Sequence, residues 1–170
     1  MTRKETGDIG PLLSADVSID EDAKLGEGQL IKGLPFSGAL QMRLHVAAKG
    51  VAILSVPYDP SVVGDPRTGV MHGGVITALL DTACGSAVMA SDDQRRGRLR
   101  STATLDLRID YMRPARPEVR VLARAECYRM TRSVGFARAV AYQEREGGSD
   151  IVASAAGAFI LDRAAEEKTS

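Results

Sequence analysis

The sequence predicts an α+β domain in which an antiparallel sheet curls around one long apolar helix. Three observations lead there. The run from Gly73 to Ala90, GGVITALLDTACGSAVMA, sets Val75, Ile76, Leu79, Leu80, Ala83, Cys84, Ala87 and Val88 on two adjacent helical stripes. Such a face is wider than a surface helix needs, and a curled sheet would bury it. A hairpin pattern precedes this run and four strand-like segments follow it. The chain, at 170 residues, suits one domain with a substantial core.

Taken in order, residues 1–27 lack apolar periodicity and are expected to form a poorly ordered arm. A single domain over 28–163 and a tail over 164–170 complete the expected organisation. GLPFSGALQM reads as a short helix with Pro35 near its start. MRLHVAAKGVAILSVPYDP reads as a hairpin with its turn at AAKG. After the helix, Ala103, Leu105, Leu107, Ile109 and Tyr111 alternate with Thr102, Thr104, Asp106, Arg108 and Asp110. A period of two predicts a strand whose first set is buried. EVRVLARAECY repeats the pattern through Val119, Val121, Ala123, Ala125 and Cys127. SVGFARAVAYQ and DIVASAAGAFIL are the last two strands, joined by the turn-forming EREGGSD.

Composition excludes several classes. Lys plus Arg and Asp plus Glu number 22 each, so no net field favours nucleic acid or a membrane surface, and neither is an expected partner. The first residues, MTRKETGDIGPLLSADVSIDEDAK, carry no signal-peptide apolar segment. The apolar run is short for a bilayer and holds Asp81 at its middle, so a cytoplasmic protein is expected. Cys84 and Cys127 sit far apart in apolar patterns and read as two reduced core thiols. His45 and His72 are the only histidines and no cysteine pair has ligand spacing, so no metal site is expected. No G-x-S-x-G elbow occurs, and GEGQLIKG lacks phosphate-loop spacing.

Asp81 is the residue the pattern does not need. A lone carboxylate in an apolar helix is costly to bury. Two readings stand: a hydrogen bond to a neighbouring loop, or a base that activates water. The helix start supplies the complementary chemistry. Its free N–H groups and positive dipole end favour a developing oxyanion, and Gly73 and Gly74 permit close approach. Behind the helix, DQRRGRLR carries Arg95, Arg96, Arg98 and Arg100, which read either as a solvated loop or as contacts for phosphates.

GVMHGGVITALLDTACG, DYMRPARPE at the end of the next strand and SAAGAFIL in the last strand together resemble hotdog-fold acyl-CoA thioesterases of the phenylacetic-acid-degradation type, over residues 33–162. The resemblance implies the hotdog fold, a curved antiparallel sheet wrapped around one central helix. It implies that the Gly73 N–H polarises a thioester carbonyl, with Gly74 beside it, and that Asp81 acts as general base or nucleophile. His72 would shape the helix start and Thr104 would hold the water. Where the family carries Asn before His-Gly-Gly, the nearest residue here is Asp65. Arg113 of YMRPARP joins Arg95, Arg96 and Arg98 as a candidate for coenzyme A phosphates. Coenzyme A enters as part of the substrate, with no other cofactor.

The resemblance also implies a homodimer, which in the family can pair into a homotetramer. Helix geometry agrees. Gly73 and Asp81 are eight residues apart, about 12 Å along a helix, so one helix cannot easily serve one carbon with both. Two antiparallel helices about a two-fold axis can. Two other functions compete: a hotdog enoyl-thioester hydratase using Asp65 and His72, and a non-catalytic acyl-CoA-binding domain. Loss of the double bond of crotonyl-CoA identifies the first, and tight binding without release of thiol the second.

Overall fold

Local sequence rules account for most elements of the computed structural model, which describes residues 33–96 and 100–162, without the side chains of 93–96. Pro35 opens helix α1 (Pro35–Ala39), where its missing N–H costs nothing. Strands β1 (Arg43–Ala48) and β2 (Val51–Val56) pair through Lys49 and Gly50, whose φ values of 52° and 75° suit a mirror-image hairpin turn. A 3-10 turn (Pro60–Val62) and a small ribbon, β3 (Val63–Asp65) with β4 (Val70–Met71), lead into helix α2 (Gly73–Arg96). Strands β5 (Thr102–Tyr111), β6 (Val121–Met130), β7 (Val134–Arg145) and β8 (Gly148–Leu161) follow. They join β1 and β2 in one antiparallel sheet of order β1-β2-β6-β7-β8-β5.

The sheet wraps α2, as its broad apolar face requires. The eight stripe residues from Val75 to Val88 are all buried. They pack against Leu54, Val121, Ala123, Ala139 and Phe159 from the sheet. Each fully buried Leu contributes on the order of 1.5–3 kcal/mol. Close contact is specified from the strand side as well. A Cβ on Gly135 of β7 would stand 2.5 Å from Val88 Cγ1, so only glycine lets the helix lie this near. By length and composition Gly73–Asp92 could cross a membrane, yet here the sheet buries most of it.

Several boundaries move. Strand β6 starts at Val121, leaving Val119 in the loop before it. The β7–β8 ladder runs to Arg145 and Gly148, so only Glu146 and Gly147 remain in the turn. Cys84 is buried and Cys127 half-buried, and neither is in a disulfide. The expected arm 1–27 and tail 164–170 lie outside the described residues.

Strand β5 departs from the period of two in a way that matters. Thr104 pairs with Phe159 and Asp106 with Ala158, so Leu105 is an extra residue, a β-bulge. Beyond the bulge Leu107 and Ile109 pack against the core as expected. Before it the faces exchange: Thr102 and Thr104 turn toward α2, while Ala103 is exposed and Leu105 is 57% exposed. Tyr111, also expected inside, is 52% exposed. Strand β8 makes room with glycine. A Cβ on Gly157 would fall 2.4 Å from the Asp106 carbonyl oxygen. Strand β5 pairs with β8 alone, so among the described residues its outer edge has no strand partner.

Candidate active site

The site is assembled from the start of α2, its middle, and the strand that follows. The short ribbon aims the chain into the helix: the His72 N–H donates to the Val62 carbonyl at 2.8 Å. Gly64 lies directly against His72, whose Cα would be 2.9 Å from a Cβ at that position. His72 then caps the helix. Its Nδ1 accepts the Gly74 N–H at 2.9 Å, and its carbonyl accepts the Val75 N–H at 3.0 Å. An accepting Nδ1 puts the ring proton of neutral His72 on Nε2. The cap leaves the Gly73 N–H with no acceptor among the described residues. It is the donor that the helix start holds open.

Asp81 sits two turns on, half-buried. The Thr104 hydroxyl donates to its Oδ1 at 2.7 Å, and no other described residue hydrogen-bonds the carboxylate. The β5 bulge makes this contact, because a regular strand would have turned Thr104 away. Cys84, one turn further along, is not a rival nucleophile. Burial pushes its thiol up to about 12, and the negative charge of Asp81 adds to the effect.

Tyr111 is a site residue that the period of two hid. From the end of β5 its hydroxyl donates to the Gly73 carbonyl at 2.7 Å and lies 2.7 Å from Thr77 Oγ1. The motif DYMRP contained it, but alternation assigned it to the core.

Other expected residues are placed elsewhere. Asp65 organises its own turn. Its Oδ1 accepts the Arg67 N–H at 3.0 Å, its carbonyl accepts from Thr68 and Gly69, and none of its hydrogen bonds reaches the helix start. The Arg67 side chain and N–H hold its carboxyl below the usual range. Arg113 pairs with Asp150 at 3.1 Å, a carboxylate it shares with Arg116 and Arg145. Arg98 and the side chains of Arg95 and Arg96 lie outside the described residues. Arg100 departs from the solvated reading of its cluster: it grips Asp92 through two 2.8 Å bonds, with both side chains largely buried. This pair closes the end of α2 onto the start of β5.

A single helix wrapped by an antiparallel sheet in this order is the hotdog architecture. Residues 68–149 match the Thioesterase superfamily. The protein named medium/long-chain acyl-CoA thioesterase YigI from Escherichia coli (strain K12) is 33% identical over 143 residues, covering 79% of this chain and 92% of its own. A crystal structure of a Pseudomonas aeruginosa protein has 38% identity and a TM-score of 0.66, covering 79% of this chain and 94% of that one. A variant of phenylacetic acid degradation protein PaaI from Thermus thermophilus has 28% identity and a TM-score of 0.60, over 74% and 97% of the two chains. The chain belongs to the thioesterase superfamily, a family of thioester hydrolases.

Proposed function

We propose that this protein hydrolyses acyl-CoA, of the medium- or long-chain class named for its Escherichia coli relative, at two sites shared across a homodimer. The observation that carries the reading is the half-buried Asp81, held by Thr104 on the open side of β5, on the same helix as the unclaimed Gly73 N–H. Water attacks the thioester carbonyl carbon while Asp81 takes its proton, or the carboxylate attacks that carbon first and water releases the acyl group. The carbonyl oxygen, becoming an anion, is received by the Gly73 N–H. The C–S bond breaks, and the coenzyme A thiolate takes up a proton. Thr104 acts by fixing the carboxylate rather than by touching the substrate. Coenzyme A enters as substrate, with Arg113, Arg95, Arg96 and Arg98 as candidate partners for its phosphates. The chemistry needs no other cofactor.

The continuous helix from Gly73 to Arg96 supports the shared site. It keeps the donor and the carboxylate about 12 Å apart within one chain. The unpaired edge of β5, ten residues long, lies beside Asp81 and offers the surface for a second copy. The hydratase reading loses support, because Asp65 is engaged with Arg67 and His72 Nδ1 with Gly74.

The test is complementation between two inactive variants, Asp81→Asn and Gly73→Pro, refolded together. In a mixed dimer one site carries both lesions and the other neither. With random equal mixing about a quarter of wild-type thiol release should return. No recovery from folded, demonstrably mixed dimers would place each site within one chain.

A further inference from the structure

Two consecutive glycines are a poor support for an aimed hydrogen-bond donor, because each leaves the backbone free to rotate. Here the peptide between Gly73 and Gly74 is held from both ends. Its carbonyl oxygen accepts from the Tyr111 hydroxyl at 2.7 Å, and its N–H donates to His72 Nδ1 at 2.9 Å. The missing side chains let both groups in. A Cβ on Gly73 would lie 3.3 Å from the Tyr111 hydroxyl oxygen, and a Cβ on Gly74 would lie 2.9 Å from His72 Nδ1. Thr77 Oγ1 completes the contact, within 2.7 Å of the Tyr111 hydroxyl and 3.2 Å of the Gly73 carbonyl.

We propose that Tyr111 and His72 form a clamp on the Gly73–Gly74 peptide, and that by fixing Gly73 from its C-terminal side this clamp aims the Gly73 N–H, which lies on the preceding peptide whose His72 carbonyl accepts from Val75, at the substrate carbonyl. The inference rests on Gly73 as the oxyanion donor. It adds Tyr111 to the machinery as a positioning residue and gives His72 a defined task in place of general shaping. It also explains why one strand matters twice. Strand β5 holds the carboxylate through Thr104 and the donor through Tyr111, so in the shared-site dimer one strand of each chain supports one half of each of the two sites.

The experiment combines kinetics with a vibrational probe. A ketone analogue of acyl-CoA, with a methylene between carbonyl and sulfur and ¹³C at the carbonyl, is bound and its C=O stretch read by difference infrared. In wild type the stretch should fall below its value in water. Tyr111→Phe should raise it toward the water value and lower kcat about tenfold with KM within about twofold, a partial loss of a donor whose full removal costs about 10²–10³. His72→Leu should behave alike, and the double variant should be no worse than the poorer single, since both act on one peptide. His72→Asn, whose side-chain oxygen can accept the same N–H, should restore turnover. An unchanged stretch and kcat in folded Tyr111→Phe overturns the clamp while leaving the Gly73 donor intact. A wild-type stretch no lower than in water refutes the Gly73 donor itself, and the clamp with it.

Discussion

Gly157→Ala tests whether the β5 bulge makes the site. The added Cβ would fall 2.4 Å from the Asp106 carbonyl oxygen, 2.9 Å from Leu107 Cδ1 and 3.2 Å from Leu107 Cα, against an ordinary contact of 3.4–4 Å. The nearest atom is backbone, so a rotamer change cannot relieve the clash. Strand β5 must withdraw from β8 by about 1 Å, or straighten its bulge, at a cost of about 1–3 kcal/mol in stability. Thr104 is two residues from Asp106, and its 2.7 Å bond to Asp81 has little slack. A shift of that size takes it out of hydrogen-bond range. Hydrogen bonds to charged groups contribute about 1.5–3 kcal/mol, so kcat should fall by roughly ten- to a hundredfold. Thiol release from acyl-CoA gives kcat and KM, and urea unfolding gives stability. Thr104→Val should lose a similar factor in kcat without the loss of stability. Adding Gly157→Ala to Thr104→Val should then lower kcat no further. If Gly157→Ala folds with full turnover, or if the two losses multiply, the bulge does not act through Thr104.

Changing Arg95, Arg96 and Arg98 together to Ala should raise KM and leave kcat nearly unchanged, with a flatter salt dependence of KM. An unchanged KM would leave them without a part in binding coenzyme A. Arg100→Met should destabilise the protein by about 3–5 kcal/mol in urea unfolding, because it leaves the Asp92 carboxylate without its bidentate partner. The double variant Arg100→Met, Asp92→Leu should recover most of that loss. With its pKa raised to about 12, the Cys84 thiol is almost wholly protonated at pH 8. It should resist iodoacetamide until urea unfolds the chain, with mass spectrometry of the peptide as the readout.

Sequence alone determined the elements whose causes are local. The stripe from Val75 to Val88 fixed the helix and its burial, AAKG and EREGGSD marked two hairpins whose exact turns the strand pairing set, and Pro35 opened the short first helix. His72, Gly73 and Asp81 stood out through the helix start and one anomalous charge, because both can be read from neighbours along the chain. Tertiary structure decided what depends on residues distant in sequence. The bulge at Leu105 exists opposite Ala158 and Phe159, more than fifty residues on, and a period of two cannot register one inserted residue. Thr104 therefore faces Asp81 where alternation pointed it outward. Tyr111 finds Gly73, and Arg100 leaves its basic run for Asp92, because folding brings the ends of β5 against the two ends of α2. A side chain's face follows local periodicity only while its strand keeps register, and register belongs to the pair of strands.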